Sequence, residues 1–249
     1  MPRRATAQLD NVVGIERKTV ANATKVKIDH LVTIDPLTEN QKRFFEEYKN
    51  GTQMIALHGV AGTGKTFCAL YKALEEVLDK SSEYKKVIVV RSAVQSRDIG
   101  HLPGDMKEKT EVYTQPYHDI CFALFGRKDA YKKLEDQGDL EFITTSFIRG
   151  TTFDNAIIIV DEMQNMNFEE LDTVMTRVGT NSKVLWCGDY RQTDLRKVND
   201  KSGILRFLNI AKFMDEFAKI EFEAEDIVRS ALVKDYILAK LKYEDTELA

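Results

Sequence analysis

The stretch Gly59-Val60-Ala61-Gly62-Thr63-Gly64-Lys65-Thr66 restricts the fold of this chain more than any other. It follows Met54-Ile55-Ala56-Leu57, an apolar run that reads as a buried strand. It precedes Phe67 to Leu74, where apolar residues recur at helical spacing. Strand, glycine loop and helix in that order are the setting of a phosphate-binding P-loop. Glycines let the backbone wrap an anion without Cβ clashes, so successive N–H groups point inward. The loop also ends at a helix N-terminus, which adds uncapped N–H groups and a positive dipole end. In this reading Gly59 through Thr66 cradle the phosphates of ATP. Lys65 reaches the β- and γ-phosphates, and the Thr66 hydroxyl is a ligand of Mg²⁺. The competing reading is a glycine-rich turn that binds nothing, and the flanking strand and helix argue against it.

A second signal lies downstream. Ile157-Ile158-Ile159-Val160-Asp161-Glu162 is an apolar strand ending in two acids, a Walker B pattern. Asp161 is expected in the Mg²⁺ shell. Glu162 is expected to act as general base on the attacking water. Apolar strands end in acids by chance, but a P-loop upstream makes the pairing informative. Lys183-Val184-Leu185-Trp186-Cys187 reads as a further strand running into Gly188-Asp189-Tyr190-Arg191-Gln192. Gln192 at its tip and Gln164 just after Walker B are the candidate γ-phosphate sensors. The plainer reading of Gln164 is a solvent-exposed loop residue.

The remaining pattern alternates strands with helices. Val26 to Val32 partly alternates and reads as an edge strand. Thr38 is a candidate helix N-cap, with Gln41 three residues on completing a capping box before a helix over 39–49. Val87-Ile88-Val89-Val90 reads as a second buried parallel strand, with Arg91 at its C-terminal end. A helical segment over 107–125 is expected to break or kink at Pro116, and a short charged helix spans 128–137. Glu141 to Thr144 is a short strand, residues 168–178 a helix, and Ile220-Glu221-Phe222 a last short strand before a terminal helix over 231–241. Such alternation predicts a three-layer α/β fold: a mostly parallel sheet covered by helices on both faces. Residues 1–34 are expected to form an N-terminal arm and 35–249 a single domain.

Composition narrows the function classes. The 249 residues carry a formal charge of −4, too acidic for wholesale electrostatic capture of nucleic acid. Any such contact needs a local patch, and Arg91, Arg97, Lys107, Lys109 and Arg149 form the best one, near the expected strand ends. Cys68, Cys121 and Cys187 lie far apart, with no metal-ligand spacing, which fits a reducing cytoplasm. No apolar run reaches membrane-spanning length, and the basic start Met1-Pro2-Arg3-Arg4 leads into no apolar segment, so neither a membrane span nor a secretion signal is expected.

The P-loop, Asp161-Glu162-Met163-Gln164 and Gly188-Asp189-Tyr190-Arg191-Gln192 resemble motifs I, II and III of superfamily 1 helicases. The chain resembles one family more closely, the PhoH (phosphate-starvation-inducible) ATPases. The stretches carrying this are Arg91 to Asp105, Phe147-Ile148-Arg149-Gly150-Thr151-Thr152, Thr176-Arg177-Val178-Gly179 and Asp226-Ile227-Val228-Arg229-Ser230. Met163 stands where the family usually has Ala, Ser92 where Pro is usual, and Ser230 where His is usual. The resemblance implies a RecA-like ATPase, often ring-forming, linked to RNA metabolism and phosphate stress. In helicase-like ATPases a Gln ahead of the first strand reads the adenine edge, a role that would fall to Gln41 here; the plainer role is capping alone. The PIN ribonuclease domain of some relatives is not expected in this chain.

The leading functional expectation is an ATPase acting on RNA or single-stranded DNA as a homo-oligomer. The alternatives are a nucleotide-dependent regulatory or scaffold protein with slow turnover, and a small-molecule kinase. With one core in the chain, an arginine finger is expected to act across a subunit boundary. Arg229 is the first candidate, Arg177 the alternative, and Arg149 is assigned to nucleic acid.

Overall fold

The computed structural model describes residues 14–15, 25–92, 106–189 and 198–247. Its centre is a six-stranded sheet built from β3 (Met54–Gly59), β4 (Lys86–Arg91), β5 (Leu140–Thr144), β6 (Ala156–Asp161), β7 (Lys183–Gly188) and β8 (Phe217–Phe222). The strands lie in the order β5-β4-β6-β7-β3-β8, and every pairing is parallel. A short antiparallel pair, β1 (Gly14–Ile15) with β2 (Ile34–Asp35), stands apart. The helices are α1 (Glu39–Lys49), α2 (Lys65–Leu78), α3 (Met106–Phe125), α4 (Ala130–Gln137), α5 (Phe168–Met175), α6 (Val198–Ala211) and α7 (Ala231–Glu247).

Side chains alternate across each strand, so one sheet serves two cores. Ile55, Leu57, Val87, Val89, Ile157, Ile159, Leu185 and Cys187 pack with residues of α1 to α4. Met54, Ala56, Ile88, Val90, Ile158, Val160, Val184 and Trp186 pack with residues of α5 and α6. Burial on both faces is why these strands read as unbroken apolar runs. The expected three-layer α/β fold is what the chain adopts.

Local expectations fail in three places. Val26 to Val32 is not an edge strand: Ile28–His30 forms a 3₁₀ turn. Its backbone is satisfied elsewhere, Val26 by the Gln137 side chain at 2.6 Å and Val32 by the Leu124 carbonyl at 3.0 Å. Val26, Leu31, Val32 and Ile34 are core residues, although they lie within the stretch expected as an arm. Pro116 sits inside one continuous helix; its ring is exposed, and burial of Tyr117, Cys121 and Leu124 on the sheet offsets the lost hydrogen bond. β8 is six residues long, its first half hidden from the sequence pattern because an edge strand is only part-buried there. All three cysteines are free and buried, and among the described residues no helix is long and apolar enough to cross a membrane.

The strand order positions the site. β7 lies between the P-loop strand β3 and the Walker B strand β6, so the C-terminal ends of all three open onto one place. In open parallel sheets that is where ligands bind.

Candidate functional site

The P-loop bends out of β3 at Gly59, whose φ is 123°. A Cβ there would lie 2.0 Å from the Phe222 carbonyl oxygen, so no other residue fits beside β8. The Val60 amide donates to that same oxygen at 2.9 Å. Within the loop, Thr63 Oγ1 donates to the Val60 carbonyl at 3.0 Å. Gln41 is fully buried beneath it: Nε2 donates to the Thr63 carbonyl at 3.0 Å and Oε1 accepts from Leu37 N at 2.8 Å. Thr38 caps α1 as expected, accepting from Gln41 N at 3.4 Å, but the return bond goes to Leu37, one residue earlier than a capping box predicts. The Gln41 amide thus braces the loop.

Lys65 opens α2. Its Nζ donates to the carbonyls of Gly59 at 2.9 Å and Val60 at 2.7 Å. Burial pulls its pKa below the usual lysine range, and Asp189, Cys187, Glu162 and Asp161 act in the opposite direction. Thr66 Oγ1 donates to Asp161 Oδ1 at 2.7 Å, joining Walker A to Walker B directly. Glu162 follows with φ 53° and ψ 41°, a left-handed conformation that a side chain rarely takes and that concentrates at functional sites. Burial, then the neighbouring Asp161, push its carboxyl above the usual range, while Arg91, Gln164 and Lys65 pull it back. A raised pKa makes a carboxylate a stronger base. Gln164 is buried, not an exposed loop residue. Its Nε2 donates to Glu162, and its Oε1 accepts from Asp189 N at 3.0 Å, so it ties Walker B to the tip of β7.

These groups surround a cleft of about 520 Å³. Its lining includes Gly62 and Arg229, and also Arg91 with Pro116, Asp119 and Ile120 of α3. Gly62 has φ 78°, and a Cβ there would come 2.9 Å from Arg229 Cγ. Arg229 therefore lies against the P-loop of its own chain. Among the described residues lining the cleft, Arg91 and Arg229 are the arginines; Arg149 and Arg177 are placed elsewhere. Arg91 pairs in register with Asp161 and so reaches the cleft. Arg97 and Gln192 lie outside the described residues, as do the side chains of Lys107 and Lys109.

The donor set fits the group it is expected to hold. Thr66 and Asp161 are adjacent hard oxygen donors, and among the described residues no cluster of three or more His, Cys, Asp or Glu forms an all-protein cage. Mg²⁺ binds in that way, through one or two carboxylates plus substrate phosphates and water.

Sequence reasoning missed two residues. Tyr117 of α3 is fully buried and donates to Asp161 Oδ2 at 2.8 Å. Only its helical spacing with Ile120 and Leu124 was visible, and that marks core. Asp226 is the second. Its Oδ2 accepts from Asn40 Nδ2 at 2.7 Å and Glu223 N at 2.9 Å, while Val228 N donates to the Gly62 carbonyl at 3.1 Å. Asp226 thus ties the Arg229 segment to α1. Burial alone would raise its pKa, but hydrogen bonds from Thr38, Asn40 and Glu223 outweigh it and hold the carboxyl below its ordinary 3.8. A depressed folded pKa gives stability that is complete above the unfolded value and lost as pH falls through the folded one. Asp226→Ala is therefore expected to lower stability by about 1–3 kcal/mol at pH 7, from lost bonds to a charged acceptor. The deficit should shrink below about pH 4 in denaturant titrations; a pH-independent deficit would contradict this account.

A profile of the PhoH family, described as PhoH-like protein, matches residues 33–240. The chain belongs to this family. The PhoH-like chain is 33% identical over 217 residues to the PhoH-like protein of Mycobacterium leprae (strain TN), covering 87% of this chain and 61% of that protein. It is 35% identical over 203 residues to the PhoH-like protein of Bacillus subtilis (strain 168), covering 81% and 62%. It thus spans about six-tenths of the length of these relatives. Among solved structures it is similar to unliganded Pif1 from Bacteroides sp, with TM-score 0.36 and 14% identity, covering 76% of this chain and 42% of that one. The three positions that depart from the usual PhoH pattern are accommodated. Met163 is fully buried in the second core, Ser92 Oγ donates to Glu170 Oε1 at 2.9 Å, and the Ser230 carbonyl accepts from Lys234 N at the start of α7.

Proposed function

We propose that this chain binds ATP with Mg²⁺ and hydrolyses it, and that it couples hydrolysis to single-stranded nucleic acid, RNA first, as a homo-oligomer. The observation that carries this is the convergence of Lys65, Thr66, Asp161, Glu162, Gln164 and Arg229 on one cleft. The P-loop amides and Lys65 hold the phosphates. Thr66 and Asp161 hold the metal, which supplies charge neutralisation at the transferring phosphoryl group. Glu162 takes the proton of the attacking water, and Gln164 fixes the Glu162 carboxylate while reporting on the tip of β7. Arg229 contributes positive charge to its own site. Gln41 braces the P-loop through its bonds to Leu37 and Thr63.

The nucleic-acid half rests on the turn after β5. Thr145–Phe147 is anchored by buried Thr145 and Ile148, whereas Phe147 is 57% exposed and Arg149 is exposed beside it. An aromatic face next to a cation suits stacked bases and a phosphate backbone. ATP turnover with and without single-stranded RNA tests the reading. Strong stimulation is the expected result; slow, unstimulated turnover would favour a nucleotide-dependent scaffold, and γ-phosphate transfer to a metabolite would indicate a kinase. RNA binding is expected to weaken steeply with salt. Arg149→Ala should weaken it further and lower the salt slope by about one phosphate contact. Salt-insensitive binding, or none, would remove the nucleic-acid role.

A further inference from the structure

The Asp161 carboxylate is gripped by two hydroxyls from different helices. Thr66 Oγ1 of α2 donates to Oδ1 at 2.7 Å, and Tyr117 of α3 donates to Oδ2 at 2.8 Å. Arg91, in register with Asp161 across β4 and β6, interacts with Tyr117, Asp161 and Glu162. Packing alone does not explain the tyrosine. Its ring lies 5.8 Å from Phe142 in an apolar contact that phenylalanine would make equally well. What the hydroxyl adds is polar contact: it meets Arg91 and donates to the carboxylate beside Thr66.

We propose that Tyr117 is a positioning residue for the metal site: it holds Asp161 in the orientation that presents Oδ1 next to the Thr66 hydroxyl. The proposal rests on the Mg²⁺–ATP reading above. Thr66 can keep donating its proton to Oδ1 while its lone pairs face a cation, but that single bond leaves the carboxylate free to turn about Oδ1. Tyr117 supplies the second bond, on Oδ2, that fixes the carboxylate plane. Because Pro116, Asp119 and Ile120 of the same helix line the cleft, the seating of α3 and the orientation of Asp161 are mechanically linked. Partners of this outer kind typically change metal affinity or activity by about 10- to 100-fold when removed.

Tyr117→Phe tests this. A fluorescent ATP analogue is bound at equilibrium to the full chain, without metal and along a Mg²⁺ titration, and the thermal midpoint is recorded. The expected result is a Mg²⁺ midpoint raised about tenfold or more, with metal-free binding within about twofold of wild type, since the P-loop is untouched. A Mg²⁺ midpoint within about twofold of wild type overturns the proposal. So does equal weakening with and without Mg²⁺, which marks a merely structural hydroxyl. If the wild-type chain itself binds the analogue with no Mg²⁺ dependence, the Mg²⁺–ATP reading fails before the Tyr117 proposal is reached.

Discussion

Glu162→Gln is expected to leave ATP binding close to wild type and to cut turnover by about 10²- to 10⁴-fold, the usual reach of a general base. The substitution keeps the shape of the side chain in its left-handed backbone position. It removes the carboxylate that burial and Asp161 have made more basic than an exposed glutamate. An amide cannot accept the proton of water. Lys65→Ala separates the two functions, since loss of the P-loop cation should weaken binding itself. Turnover at the wild-type rate in Glu162→Gln would show that Asp161-Glu162 is not a Walker B pair.

Arg229→Ala is expected to lower turnover by about 10³- to 10⁵-fold, the range seen when an arginine finger is lost. Arg229 lies over Gly62 of its own chain, and the Val228 amide donates to the Gly62 carbonyl. This placement bears on the expectation of a finger working between subunits. If Arg229 serves its own site, mixing inactive Lys65→Ala subunits with inactive Arg229→Ala subunits returns no activity, even where the subunits exchange. Recovered turnover in mixed assemblies would mean that Arg229 reaches a neighbouring site, and the short distance to Gly62 would then describe only the isolated chain.

The sequence carried the central sheet and the phosphate loop because both rest on local signals. A β-branched run buried on two faces leaves no polar alternation, and a glycine loop between strand and helix has few other uses. Tyr117 and Asp226 escaped for the opposite reason. Each acts on a partner far away in the chain, Asp161 for one and Asn40 for the other, and nothing in the neighbouring residues announces the bond. The place of Arg91 at a strand end points, in the sequence, to nucleic acid. Its register opposite Asp161, which depends on β4 pairing with β6, turns it toward the cleft. The sequence offers Gln41 two roles, capping its helix or reading the adenine edge, and neither shows that its amide reaches across to Thr63.

The order of the strands in space differs from their order in the chain, and that has a consequence for biosynthesis. Met54 of β3 pairs with Val184 on one side and Phe217 on the other, so both neighbours of the P-loop strand are made after β6. A nascent chain that has emerged only as far as β6 holds Walker A and Walker B without the strand that joins them. Parallel pairings across such long stretches form slowly, because chain entropy is lost before contacts compensate. Gly59 gains its Phe222 neighbour only when β8 docks. The most readily recognised motif in the sequence thus waits for two strands made long after it before its walls are complete.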